Sequence, residues 1–298
     1  SINWGPWEGG MVDPGLKRQF EKRGIDLIPL LSGARQMVSE MGNRAGDGPE
    51  IVIGAHLTDP KKKKSVKLTP AMKVAMDRRQ IPVLADHCID SEPVVPFALL
   101  MEYHAQTAEK SNPGLKLSGM DDMRLLKGIR VKQSVNAQIN VGKCRPTKNG
   151  FDVVSTIVSE NEPSQEYIHS SCQMLLKEKR RKPPVLSQAA FMALKPYERS
   201  VRDIYRDILF HGPRLQGITR INGCSKKGIE VVTKCAPDPA QWIESPSFSK
   251  WVLDPLMLDA AFQAAILWTY ETRKQVCLPS YIANFRLYSS FDTVTGRV

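Results

Sequence analysis

The sequence has no long apolar run. Nothing in it approaches the roughly 18 consecutive apolar residues of a membrane-crossing helix, so no membrane partner is expected. The start, Ser1-Ile2-Asn3-Trp4-Gly5, has no charged leader with an apolar stretch behind it and does not read as a secretory signal. It also lacks an initiator Met, which suggests a chain cut from a longer polypeptide. Six cysteines are present, none in a CxxC pair and none grouped with His at zinc spacing. Reduced thiols in a cytoplasmic protein, and no metal, are therefore expected. Acidic residues are the scarcer charge, 31 against 42 Lys and Arg, for a net +11. The basic residues are not interleaved with aromatics and match no nucleic-acid motif, which argues against nucleic acid as a partner. The runs Lys61–Lys64 and Lys177–Lys182 lie near prolines and read as solvated loops.

What is present is an ordinary globular composition, 42% apolar over 298 residues. Three segments emerge. Residues 1–48 hold one helical pattern and end in a Gly-rich stretch. Residues 49–180 and 181–298 share an order of parts, with a charged linker, Lys177–Pro184, at their junction. In the first of these, a helix opens on Pro96, where the missing N–H leaves nothing unpaired, with Phe97, Leu100, Met101, Ala105 and Ala108 on one face. Strands are expected over Val131–Val141, where apolar residues alternate, and over Phe151–Val158 and Tyr167–Leu176. In the second, Asp254 caps a helix that opens on Pro255, runs to about Arg273 and is apolar nearly all round, as an interior helix would be. Strands are expected at Ile229–Cys235 before it and Ile282–Tyr288 after it. Two long helices among antiparallel strands give an α+β class in which each sheet wraps a helix.

His87 stands just before the first helix; His56, His104, His169 and His211 carry no stronger local signal. Asp259 is more unusual, a carboxyl group four residues into the most apolar helix, with Gln263 one turn on. Because Asp254 already caps that helix, Asp259 reads as a buried acid held partly protonated, which is what a general acid requires.

Several motifs then occur in order. Leu84-Ala85-Asp86-His87, with Pro96 nine residues after the histidine, resembles the HxxxGxxxxP signature of polyketide-synthase dehydratases. Asp259 with Gln263 four residues on, behind Asp254-Pro255-Leu256, is similar to that family's second motif. Between them, Tyr205–Gly217, with His211-Gly212-Pro213 inside it, resembles its YGP segment, and Leu278-Pro279-Ser280-Tyr281-Ile282 its LPxxI strand. The resemblance covers most of residues 50–290. It implies a double hot dog fold, two curved antiparallel sheets each wrapping a long helix.

It also implies dehydration of a 3-hydroxyacyl thioester, with His87 and Asp259 catalytic and Gln263 and His211 orienting. Pro96, Phe97, Gly212, Pro213, Leu278 and Pro279 would line the substrate site, and N–H groups near Val95–Phe97 would steady the thioester oxygen. No cofactor is implied in this domain, since the substrate arrives on the phosphopantetheine arm of an acyl carrier protein. Such a carrier is acidic, which gives the +11 charge a use. Other domains of one synthase and a homodimer complete the implied partners. Alternatives are an inactive dehydratase-like dimerisation domain and a product-template-like cyclase.

Residues 1–48 have a separate match. Asn3-Trp4-Gly5-Pro6-Trp7 to Gly10-Met11, then Arg23-Gly24-Ile25, resembles the C-terminal tail of a ketoreductase domain, without its nucleotide-binding part. The sequence departs from the dehydratase pattern at Ser91, where the motif has Gly, at His211, where it has Tyr, and at Leu215, where an aromatic is common. It stops at Val298, short of the family's last strands, so a truncated second repeat is expected.

Overall fold

The structure, a computed structural model, describes residues 2–9, 12–22, 27–42, 51–53, 67–161, 165–184, 194–289 and 295–297. Lys61–Lys64, His56, Gly10-Met11, Arg23–Ile25 and most of the Gly-rich stretch lie outside these residues. Two compact units divide the chain, Ser1–Val66 and Lys67–Val298.

The first unit contains β1 (Ile2–Trp4), α1 (Pro14–Lys22), α2 (Leu30–Gly42) and β2 (Ile51–Ile53). β1 and β2 pair in parallel, Ile2 opposite Ile51. That ladder ties residues 51–53 to the start of the chain, so this unit ends at Val66 and not at residue 48, the expected boundary.

The second unit opens with β3 (Leu68–Met76), β4 (Cys88–Ile89), β5 (Glu92–Pro93) and α3 (Phe97–Ser111). β6 (Lys116–Leu125), β7 (Val135–Gly142), β8 (Arg145–Thr147), β9 (Gly150–Asn161) and β10 (Gln165–Lys177) follow. After α4 (Val201–Asp207) come β11 (Ile218–Ser225), β12 (Gly228–Lys234), α5 (Pro255–Arg273), β13 (Tyr281–Arg286) and β14 (Thr295–Arg297). Among the described residues no helix is long and apolar enough to cross a membrane.

A seven-stranded antiparallel sheet runs β13-β6-β10-β9-β7-β3, with β8 beside β9. It wraps α3, which packs on β3, β6, β7, β9 and β10. The one-faced helix expected here is instead buried all round from Phe97 to Ala108. Its apolar residues Leu99, Leu100 and Met101 are fully buried, each contributing about 1.5–3 kcal/mol. Most of its polar residues are tolerated because they are bonded: His104 lies between Ser155 Oγ (2.7 Å) and Ser170 Oγ (2.9 Å), and Thr107 donates to Tyr103 O (2.7 Å), while the Tyr103 hydroxyl has no partner among the described residues. Glu102 accepts from Gln106 Nε2 (2.6 Å), Val252 N (2.9 Å) and Leu253 N (2.6 Å), which joins α3 to the segment leading into α5.

The smaller sheet, β11-β12-β14, carries α5. Asp254 caps α5, accepting from Met257 N at 2.8 Å, as its position in the sequence indicated. The helix faces both cores: Leu256 belongs to the larger, while Ala260, Ala264, Ile266 and Leu267 belong to a smaller one with Ile204, Ile218 and Val231. β13 does not join the smaller sheet. It pairs with β6, Ile282 opposite Met123, so the two repeats share one sheet. The linker also departs from a free solvated loop, since Arg180 Nε donates to Leu117 O (2.8 Å) and its guanidinium lies 3.6 Å from Glu109.

Asp90 and Ser91 form the two-residue turn between β4 and β5, at φ 53° and 65°. Both sit in the left-handed region that glycine occupies without strain. The departure from the motif at Ser91 is thus a backbone matter. Ser91→Gly is expected to stabilise the fold by about 1 kcal/mol, read as a raised denaturant midpoint at unchanged slope.

Candidate active site

His87 ends a short 3₁₀ turn, Pro82–Asp86, and is held on both sides by backbone. Its carbonyl accepts from Val94 N (2.9 Å), and the neighbouring Asp86 carbonyl accepts from Gly212 N (2.7 Å). This bridge sets His87 directly opposite His211. It needs glycine at 212, because a Cβ there would lie 2.1 Å from Asp86 Oδ1 and 2.9 Å from Asp86 Cα. Two segments more than a hundred residues apart in the sequence are thereby locked at the site.

The His87 side chain is 7% exposed. Its Nδ1 lies 2.7 Å from Val94 O. A carbonyl only accepts, so Nδ1 carries the hydrogen and Nε2 keeps a lone pair, with no partner among the described residues. Burial holds the imidazole below the usual histidine range, against the pull of Asp259, and the adjacent His211 adds to the lowering. A neutral ring with a free Nε2 is a base by construction.

Asp259, 3% exposed, projects from the first turns of α5. Oδ2 accepts from Gln263 Nε2 (2.7 Å) and lies 3.3 Å from His211 Nε2. Oδ1 accepts nothing from the described residues. Burial, the largest influence, pushes this carboxyl up. The hydrogen bond and charge of His211, the charge of His87 and the Gln263 hydrogen bond outweigh it and hold Asp259 below the usual carboxylate range. The expectation of a carboxyl kept partly protonated by apolar surroundings is therefore corrected: its neighbours are donors. His211 itself stacks on Phe210 at 4.2 Å and meets the His87 ring edge-on at 5.3 Å. Its Nδ1 is buried and has no partner among the described residues. Ligand-type atoms of His87, His211 and Asp259 all lie within 4.8 Å of one another, and each could bind a metal ion.

Gln263 is fully buried and has no freedom to turn over. Its second N–H donates to Leu215 O (2.8 Å), and its Oε1 accepts from the Tyr205 hydroxyl (2.6 Å). Tyr205 Oη in turn accepts from Ile218 N (2.8 Å), which leaves the hydroxyl hydrogen only the amide oxygen. The chain Ile218, Tyr205, Gln263 thus fixes a donor at Asp259. Phe210 and Tyr205 were not singled out by sequence, although both lie in the segment read as YGP-like. Tyr205→Phe is expected to lower turnover roughly 2–10-fold with KM unchanged, the effect of one lost hydrogen bond.

The other expected site residues divide. Pro96 and Phe97 open α3, and Phe97 faces Phe262 of α5 at 5.6 Å. Val95 is not available as a donor, because its N–H is taken by Ile129 O (3.0 Å). Pro213 begins a short 3₁₀ turn through Leu215, whose side chain is core and whose carbonyl holds Gln263. Leu278, 52% exposed, faces solvent on the loop before β13, with Pro279 half-buried beside it. That loop follows β13 to β6, away from the smaller sheet. His104 and His169 are structural, each held at both ring nitrogens.

Comparison with known proteins agrees with the fold. Residues 194–298 match the family model described as polyketide synthase dehydratase N-terminal domain. The chain is 30% identical over 286 residues to a polyunsaturated fatty acid synthase polypeptide of Thraustochytrium sp., across 95% of its own length. It spans 10% of the length of that relative. Among solved structures, a trans-AT polyketide synthase dehydratase domain from Brevibacillus brevis matches with a TM-score of 0.58 at 19% identity, over 76% of this chain and 79% of that one. The dehydratase domain from the CurF module of curacin polyketide synthase gives 0.57 at 18%, over 76% and 80%. The dehydratase domain of PpsC from Mycobacterium tuberculosis gives 0.57 at 16%, over 76% and 79%. These structures share the double hot dog architecture built here from two helix-wrapping sheets. The chain thus shares the fold of polyketide synthase dehydratase domains, is similar over residues 194–298 to their family model, and is similar over nearly its whole length to a stretch of a polyunsaturated fatty acid synthase polypeptide.

Proposed function

We propose that this domain removes water from a 3-hydroxyacyl thioester carried by an acyl carrier protein, giving the 2-enoyl thioester. The observation that carries the reading is the clustering of three buried groups, a ligand atom of each within 4.8 Å of the others, with His87 neutral and its Nε2 free beside the Asp259–His211 pair. A base and an acid at one substrate's span are what a β-elimination needs.

His87 Nε2 takes the C2 proton, and the C2–H electrons form the C2–C3 double bond. The C3–O bond breaks, and the departing hydroxide takes a proton from the acid to leave as water. The acid is the Asp259–His211 pair sharing one proton across the 3.3 Å contact, since Asp259 alone is surrounded by groups that favour its carboxylate form. When the pair's proton resides on the carboxyl it sits on Oδ1, the oxygen free of other bonds among the described residues, and passes from there to the leaving hydroxyl while His211 Nε2 and Gln263 donate to Oδ2. Gln263, fixed by Tyr205, keeps Oδ2 occupied. The proton gained by His87 then resets the pair, so the cycle has no net proton change. The N–H groups of Phe97 and Ala98 at the start of α3 support the thioester oxygen as charge builds on it.

This reading calls for no resident cofactor; the phosphopantetheine arm belongs to the carrier. The carrier, the other domains of a synthase, a homodimer and a cytoplasmic setting fit the resemblance and the basic charge. The parallel β1–β2 pairing across two helices is the connection of an α/β fold, which supports a ketoreductase tail in the first unit, extended to residue 53. The test is direct. Incubated with a 3-hydroxyacyl carrier substrate, the chain should yield an acyl product lighter by one water in intact-mass spectra. No water loss across a range of chain lengths would overturn the reading in favour of a structural domain.

A further inference from the structure

We propose that His87, His211 and Asp259 also form a binding site for a divalent transition metal of the zinc class, overlapping the acid–base site so that metal and substrate exclude one another. No Cys/His spacing in the sequence indicates such a site. The fold creates it by drawing ligands from three distant segments, at residues 87, 211 and 259, into one buried cluster.

The geometry is close to what zinc uses. Zn–N and Zn–O bonds of about 2.0–2.2 Å in a tetrahedron put ligand atoms about 3.4 Å apart. His211 Nε2 and Asp259 Oδ2 already stand 3.3 Å apart. The third donor, a ring nitrogen of His87, stands within 4.8 Å of ligand atoms on both. Two histidines and one carboxylate leave the fourth position open, the composition of a catalytic-type zinc site.

The surroundings also suit a metal. A metal-bound imidazole donates its other N–H to a carbonyl or carboxylate, which fixes the ring. His87 does this toward Val94 O at 2.7 Å. The carboxylate ligand should itself be hydrogen-bonded, and Gln263 does so at 2.7 Å. His211 Nδ1, buried with no partner among the described residues, is free to carry the hydrogen that Nε2 gives up on binding the ion. Relative to the acid-competent form, with one proton shared between His211 and Asp259, metal binding expels one proton per ion.

The experiment uses the whole chain and Co²⁺ as the probe, because tetrahedral Co²⁺ has strong visible bands that the hydrated ion lacks. One Co²⁺ per chain is expected, with one proton released and with bands abolished by added Zn²⁺. His87→Ala, His211→Ala and Asp259→Ala should each weaken binding at least about 100-fold, more than loss of an outer-shell partner does. Proton NMR of the Co²⁺-loaded wild-type chain adds a measurement that needs no variant: a strongly shifted imidazole N–H, slow to exchange, is expected from His87 on Val94 O. A spectrum that stays that of hydrated Co²⁺, or binding unchanged in all three variants, overturns the proposal. Zn²⁺ should raise the apparent KM for the 3-hydroxyacyl substrate, with full reversal by EDTA. That last measurement alone rests on the dehydratase reading. Co²⁺ bound without turnover sinks the dehydratase and leaves the metal site, and turnover without Co²⁺ binding does the reverse.

Discussion

His87→Ala is expected to lower the rate of enoyl formation about 10²–10⁴-fold, the share of a positioned general base. The substitution removes the only lone pair in the cluster held free by a backbone hydrogen bond, at Val94 O. Water has little room to substitute, since His87 is 7% exposed and His211 and Asp259 less. Asp259→Asn should lower the rate to a similar degree while conserving shape. An amide cannot share a proton with His211, and it turns either an N–H toward the Gln263 donor or an oxygen that carries no charge. Base and acid act in one step, so the double variant should be hardly slower than the slower single one. Rates are read from single-turnover conversion of the carrier-bound substrate. Wild-type rates in either single variant would remove the pair from the mechanism, and fully multiplicative losses would show that the two groups act in separate steps.

Glu102→Ala is expected to destabilise the fold by roughly 2–6 kcal/mol, because the buried Leu253 N–H and the half-buried Val252 N–H lose their acceptor. Nothing else among the described residues accepts from either. Since they sit directly before the Asp254 cap, activity should fall along with stability. Glu102 also makes stability depend on pH. Burial pushes its carboxyl up to about 8 from an ordinary 4.5, although Gln106, Val252 and Leu253 pull the other way. The folded state therefore binds a proton more readily than the unfolded state. The contribution is complete below about 4.5 and is lost as pH rises through about 8. Thermal unfolding from pH 5 to 9 should show the wild-type midpoint falling over this window more steeply than that of Glu102→Gln. Parallel profiles would show that Glu102 is ionised throughout.

Much of this was legible in the sequence. Pro96 and Pro255 mark the starts of the two long helices, and Asp254 caps the second one as read. The four-residue spacing of Asp259 and Gln263 became a 2.7 Å hydrogen bond, because helical neighbours one turn apart share a face. The protonation of Asp259 was not legible, since apolar neighbours in sequence do not reveal that His211 and His87 arrive from other segments. Glu102 was missed for a similar reason. In a one-faced helix it would point to solvent, whereas here the sheet closes all the way round and its partners lie about 150 residues on. Leu278 was misplaced because a motif match carries no direction for a side chain. Ser91 and His211 looked alike as departures from a pattern, yet one is a turn with positive φ and the other an imidazole at the acid.

The pairing of β13 with β6 has a bearing on how this domain can be cut. Two similar halves suggest that one half could be made alone, as a small protein pairing with itself. In this chain the first half is not a complete object. Without Tyr281–Arg286, strand β6 becomes a ten-residue open edge beside the buried Met120 and Met123. A fragment ending at Pro184 would carry an adhesive border, and its natural remedy is a second copy of that border. In this chain that border is covered from within, by a strand of the second half, so the domain has to be expressed and engineered as one piece.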